Sequence, residues 1–315
     1  MSIFRRGLSP EALRALTALA EEPADNWWKD LLTLWSPSGA SAGSRPLRLA
    51  VRDGYLNFYL RGQSIAKVGF NRRTGPFAEV HVKYAFADAK EQAYAKLSGL
   101  DFAANTPGHA GSYAGLTTLR EWMGRAAAWE TPEKMQVERL TADNPRIIDL
   151  EMGLPAHAER TSALRIDVVA LEPTAAGAQV VFWEAKRATD GRIRSQSERP
   201  EVVDQIEAYT RYLSNNGHEA AVVSAYRQTC RSLLEFASMA GGYRIRSLDP
   251  LVLGVAKGFI DLKVDRTPRL VIFGTDAEFR HPAWGNHQAK LAQMGVPLLT
   301  LRSDPYRLPD VGIGL

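Results

Sequence analysis

A chain of 315 residues, 45% hydrophobic and 23% charged, can bury a sizeable core and divide into two domains, and its composition excludes extensive disorder. The formal charge of +4 permits a polyanionic partner without requiring one. A single cysteine, Cys230, excludes an internal disulfide framework and a thiolate metal cluster.

In chain order, Met1-Ser2-Ile3-Phe4-Arg5-Arg6 lacks the apolar core of a signal peptide, and no apolar run reaches transmembrane length. A soluble, cytoplasmic protein with no membrane partner is therefore expected. A helix follows: Ser9 can cap it, Pro10 fits its first position, and Leu13, Leu16 and Leu19 make an apolar stripe. Asn26 to Trp35 continues with apolar and aromatic residues, and Ser36 to Arg45 reads as a linker.

Four runs then read as strands: Leu47 to Val51, Tyr55 to Leu60, Gln63 to Phe70 and Ala78 to Lys83, with Asp53-Gly54 and Arg61-Gly62 as hairpin turns. A helix is expected from about Ala87 to Leu97. Tyr55, Asn57 and Tyr59 share one face of this sheet, opposite Leu56, Phe58 and Leu60, with Arg61, Lys67, Arg72 and Arg73 nearby. Such a face can stack bases and hold phosphates, or pack with wet hydroxyls; no ribonucleoprotein motif accompanies it. Gly99 to Gly111 signals a loop and Gly115 to Trp129 a helix. Thr131-Pro132-Glu133 opens another helix, which runs to about Ala142 and stops before Asn144-Pro145.

The stretch from Ala163 to Leu213 carries the chemistry. Leu164 to Leu171 reads as a strand containing Asp167, and Gln179 to Lys186 as a second, ending in Glu184-Ala185-Lys186. Alternation puts Glu184 and Lys186 on one side and Trp183 and Ala185 on the other. If the strands are neighbours, their register can bring Asp167 beside Glu184. Two ionised carboxylates there repel, and a divalent cation is the usual means of holding both charged. The gap from Pro173 to Ala178 is longer than a tight hairpin needs. Arg187 to Pro200 is a polar loop with Arg187, Arg192, Arg194 and Arg199, placed to contact phosphates or simply solvated. Pro200 to Leu213 reads as a helix with Val202, Ile206, Tyr209 and Leu213 on one stripe, Gln205 and Tyr209 falling on one side. Beyond it come a strand or helix start at Ala220 to Ser224, a helix through Leu233 and Phe236, strands at Arg269 to Phe273 and Pro297 to Leu301, and a helix from Pro282 to Met294.

Asp167 on one strand, Glu184-Ala185-Lys186 on the next and Gln205-Ile206-Glu207-Ala208-Tyr209 on the following helix resemble the PD-(D/E)xK nuclease superfamily, its RecB-like branch in particular. A closer likeness is to the catalytic domain of NucS-type endonucleases, carried by Glu133, Asn144-Pro145, Gly153-Leu154-Pro155, Arg165-Ile166-Asp167 and Glu184-Ala185-Lys186-Arg187. It covers Thr131 to Leu213 and does not reach the amino-terminal module. The resemblance implies an α/β fold with a restriction-endonuclease-like central mixed sheet flanked by helices at residues 131–315. A helical segment at 1–44 and a β-meander with a helix at 45–130, suited to substrate recognition, would precede it. It also implies a Mg²⁺- or Mn²⁺-dependent deoxyribonuclease in a defence or repair setting. Asp167, Glu184 and the carbonyl of Ala185 would bind the metal. Glu133 would complete the site, with Glu138 and Glu151 as competitors. Lys186 would orient water or neutralise the transition state, and Gln205 and Tyr209 would hold the lysine or a phosphate.

Two other readings stay open: a nucleic-acid-binding module without turnover, and a subunit, homo-oligomeric or in a defence or repair assembly, gated by its partner. His281, Asn286 and His287 are too closely spaced for an HNH site. No phosphate-binding P-loop, dinucleotide fingerprint or nucleophile elbow is present.

Overall fold

The computed structural model describes residues 4–40, 43, 45–87, 89, 92–102, 111–154, 165–194 and 198–309. They form a mixed α/β structure built on two six-stranded sheets. Helix α1 (Pro10–Glu21) starts where Ser9 Oγ accepts from the Ala12 amide at 3.1 Å. In α2 (Trp27–Leu34), Asn26 Oδ1 takes the amides of Trp28 and Lys29 at 3.1 and 3.0 Å. Both caps satisfy amides that the first helical turn leaves free.

The first sheet is antiparallel and follows chain order: β1 (Arg48–Val51), β2 (Leu56–Leu60), β3 (Gln63–Asn71), β4 (Gly75–His81), β5 (Tyr94–Ser98) and β6 (Asp101–Phe102), with the short α3 (Val82–Ala85) before β5. Arg61 and Gly62, at φ 45° and 73°, make the two-residue turn between β2 and β3, the left-handed pair whose twist suits a hairpin. The helix expected from Ala87 to Leu97 is corrected: of its first half the described residues Ala87, Ala89, Gln92 and Ala93 are not helical, and the second half is a strand. Tyr94–Ser98 is a strand in which Ala95 and Leu97 are buried while Tyr94, Lys96 and Ser98 are not. This period of two fits pairing with β4, and the sheet overrides the local helix signal.

The second half continues with α4 (Leu116–Ala127), α5 (Pro132–Asp143), β7 (Ile147–Gly153), β8 (Arg165–Thr174), β9 (Gly177–Arg187), α6 (Glu201–Leu213), α7 (Asn216–Met239), α8 (Pro250–Lys257), β10 (Leu262–Val264), β11 (Arg269–Phe273), α9 (Asp276–Arg280), α10 (Pro282–Gln293) and β12 (Leu298–Leu301). The strand order is β12-β11-β9-β8-β7, with β10 also pairing with β9. β7, β8 and β9 run antiparallel, while β10 and β11 lie parallel to β9 and β12 parallel to β11, so the sheet is mixed.

One further expectation is corrected here and one is decided. Pro173 and Ala178 are paired ladder residues, and the hairpin closes tightly beyond Thr174↔Gly177. Of the two readings of Ala220 to Ser224, the strand is corrected and the helix holds, since the stretch lies inside the continuous α7. The cap pair Asp249-Pro250 opens α8, which sequence inspection passed over along with β10. Ala163, Leu164 and Pro155 lie outside the described residues, as does most of Gly99 to Gly111.

One hydrophobic core joins the two sheets. Trp28 of α2 sits edge-on to Phe58 of β2 and to Phe236 of α7, with ring centroids 6.0 and 5.9 Å apart. Polar links reinforce the join: Glu138 Oε1 of α5 accepts from Arg48 Nε and Nη2 of β1 at 2.9 and 2.7 Å. Among the described residues, no helix is long and apolar enough to cross a membrane.

Candidate active site at the end of the β8–β9 ladder

β8 and β9 pair from Thr174↔Gly177 to Val168↔Trp183 and no further, although β8 reaches back to Arg165 and β9 on to Arg187. Beyond Trp183, β9 stays with β11, where Glu184, Ala185 and Lys186 pair with Leu270, Val271 and Ile272. The Asp167 side chain fills the opening. Its Oδ2 accepts from the Ala185 amide at 2.8 Å, a bond that a neighbouring-strand carbonyl would otherwise make.

Trp183 and Ala185 pack into the cluster beneath α5, with Leu140, while Glu184 and Lys186 project to the opposite side, toward α6. Lys186 is almost wholly buried; its Nζ contacts Glu184 Oε1, donates to the Ala185 carbonyl at 2.8 Å and lies 3.9 Å from Asp167 Oδ2. From α6, Gln205 Nε2 donates to Glu184 Oε1 at 2.7 Å and to the Tyr209 hydroxyl at 2.9 Å. Tyr209 in turn donates to the backbone carbonyl of Arg165. The one-turn spacing of Gln205 and Tyr209 makes this relay possible.

Electrostatics follow from this crowding. Burial raises the Asp167 carboxyl well above its ordinary range, and the charge of Glu184 adds to the rise, against the pull of Lys186. Burial also raises Glu184, opposed by Lys186 and the hydrogen bond from Gln205. Glu184 Oε2 is buried without a hydrogen-bond partner. The available donors are therefore two carboxylates and the Ala185 carbonyl, all hard oxygens. They fit a Mg²⁺-type cation, and the orphaned Glu184 oxygen is what favours one. Among the described residues, no three His, Cys, Asp or Glu side chains form a ready metal cluster.

The structure thus brings together Asp167, Glu184, Ala185, Lys186, Gln205 and Tyr209. It does not bond Glu133 to the pair: among the described residues no hydrogen bond or ion pair joins Glu133 to Asp167 or Glu184. α5 packs on the Trp183 face, and Glu133 acts electrostatically on Arg192, whose guanidinium also feels Glu184. Of the competing acids, Glu138 is engaged by Arg48. Glu151 bridges to Arg165 at 3.1 Å, and its charge is felt at Asp167.

The loop arginines are mostly braced. Arg192 is held by Asp190 at 3.0 Å through Nε and 2.6 Å through Nη2, and Arg199 by Asp204 at 2.6 Å. His281 caps α10, its Nδ1 accepting from the Ala283 amide at 3.2 Å.

Two features escaped sequence inspection. The carbonyl of Arg165 carries no side-chain signal. Asp149 does carry one, as an acid inside the apolar run Ile147-Ile148-Asp149-Leu150. It is buried against Arg52, with Arg6 Nε at 3.4 Å and the Tyr226 hydroxyl at 3.3 Å. No family model, curated protein or solved structure matches this chain.

Proposed function

We propose that this chain is a metal-dependent nuclease with a restriction-endonuclease-like carboxy-terminal half, hydrolysing phosphodiester bonds in DNA in a defence or repair setting. The observation that carries the reading is the orphaned Glu184 Oε2 beside Asp167 and Lys186, where the β8–β9 ladder ends. A buried carboxylate oxygen without a partner is unfavourable unless something binds there. The mixed sheet, with β9 between antiparallel β8 and parallel β11, is consistent with that fold.

Asp167, Glu184 and the Ala185 carbonyl would hold Mg²⁺ or Mn²⁺, which supplies an acidified water and neutralises charge on the phosphoryl oxygens. Lys186 places its ammonium where negative charge develops and is held there by Glu184 and the Ala185 carbonyl. Gln205 fixes the Glu184 carboxylate, and Tyr209 fixes Gln205. Arg192, clamped by Asp190, offers its remaining donors to a flanking phosphate.

The test incubates the purified protein with single-stranded, duplex and branched DNA and with RNA, in Mg²⁺, Mn²⁺ or chelator. Cleavage that requires metal and disappears in Glu184→Ala and Lys186→Ala is expected. No cleavage of any substrate, or cleavage that survives both substitutions, overturns the reading.

A further inference from the structure

A cleft of about 470 Å³ separates the polar face of the first sheet from the strand ends of β7 and β8. Its size lies within the range of about 300–1,000 Å³ usual for small-molecule sites. From the sheet come Tyr55, Asn57, Lys67 and Tyr94, and across from them stands Arg165. Lys67 Nζ covers the Tyr94 ring, 4.3 Å from its centre, and His81 packs on the same ring at 5.2 Å, so the ring braces the ammonium at the cleft while Tyr55 supplies the aromatic surface beside it. Arg165 is 67% exposed at its side chain and has Glu151 as its partner, an ion pair that an incoming anion can exchange. Arg6 also lines the cleft. Its side chain is only 6% exposed, and its Nη2 has no hydrogen-bond partner.

We propose that this cleft is a nucleotide-binding site that takes one unpaired planar base against Tyr55, with its phosphate on Lys67 and Arg165. Aromatic faces accept any base, while the cations select for the phosphate. A paired duplex cannot enter, because its bases are stacked and turned inward. The location ties the cleft to the acid pair: the carbonyl of Arg165 accepts from Tyr209, which is hydrogen-bonded to Gln205, which holds Glu184. The base could belong to a free nucleotide or to a strand. Only the second source rests on the nuclease reading; the binding site itself does not.

Binding is measured in chelator, so that cleavage plays no part, with fluorescently labelled AMP, a labelled single-stranded oligonucleotide and the same oligonucleotide as a duplex. Wild type is expected to bind AMP or the single strand, and the duplex more weakly. Tyr55→Ala and Lys67→Ala, both at the cleft surface, should each weaken binding about tenfold while the melting temperature stays unchanged. Preference for AMP assigns a free nucleotide, and preference for the single strand assigns a strand. Absence of binding to both, equal binding of the duplex, or affinities untouched by the two substitutions overturns the proposal. A protein that binds in this way yet never cleaves would sink the nuclease reading and leave the cleft assignment standing.

Discussion

Asp167 Oδ2 and the amide of Ala185 are 2.8 Å apart, so a side-chain oxygen stands in for a backbone carbonyl at the point where two strands part. That bond, together with the Lys186 ammonium 3.9 Å from the same oxygen, keeps the carboxylate beside Glu184 despite their repulsion. Asp167→Asn retains an acceptor for the amide while removing one of the two negative charges. The variant should be inactive as a nuclease and should melt at a higher temperature than wild type at neutral pH.

The pH dependence has a definite sign. Burial, then the charge of Glu184, raises Asp167 above its ordinary value of 3.8, and burial raises Glu184 as well. A carboxyl with a raised folded-state pKa binds more protons when folded, so stability falls as pH climbs from its unfolded value toward its folded one. Denaturant titrations of wild type should therefore show a loss of stability beginning at about pH 4 and continuing upward, shallower in Asp167→Asn. Mg²⁺ or Mn²⁺ should reverse that loss, by about 2.7 kcal/mol at a hundred times its dissociation constant, and should leave Asp167→Asn unaffected. Equal metal responses in the two proteins would disprove a shared ion at the pair.

Lys186 is the sole cation in contact with the Glu184 carboxylate among the described residues. Lys186→Met should cost up to about 3–5 kcal/mol, because it leaves a buried charge uncompensated. The double variant Glu184→Gln with Lys186→Met should recover most of that loss. Urea unfolding of the four proteins in the cycle gives the coupling, and strict additivity would contradict the contact.

Tyr209→Phe removes the hydroxyl that serves the Arg165 carbonyl and receives a hydrogen bond from Gln205. Leaving that carbonyl unsatisfied should destabilise the fold by about 1–3 kcal/mol. Cleavage should slow as well, since Gln205 loses its anchor, whereas a purely structural tyrosine would leave the rate of the folded fraction intact.

Arg52 connects the two sheets by an ion pair rather than by packing. It contacts Asp149 and the Leu150 carbonyl of β7, and Asp149 also accepts from its neighbour's amide, Leu150 N, at 2.8 Å. Arg6 Nε and the Tyr226 hydroxyl still engage Asp149, so Arg52→Met should cost less than the roughly 3–5 kcal/mol of a fully uncompensated buried charge. Proteolysis of the folded protein should then show the first sheet released more readily than in wild type.

Much of this arrangement is written locally. The cap Ser9, the Thr131-Pro132 helix start, the Arg61-Gly62 turn, and the alternation that sets Glu184 and Lys186 against Trp183 and Ala185 depend on residues within a turn or two of each other. Period and capping chemistry are enough to read them. Sequence inspection erred where a longer-range partner prevailed: at Tyr94–Ser98, drawn into a strand by β4, and at Pro173 to Ala178, absorbed into the ladder of β8 and β9.

The order of motifs along the chain, through its resemblance to a nuclease superfamily, pointed to Asp167, Glu184, Lys186, Gln205, Tyr209 and Glu133 as a set. It could not decide that Asp167 would take the Ala185 amide, that Glu138 would be claimed by Arg48, or that the charge of Glu133 would act on Arg192. Those outcomes depend on which strands adjoin and on where a ladder stops. Such contacts join residues far apart in the chain, and only the packed sheets and helices determine them.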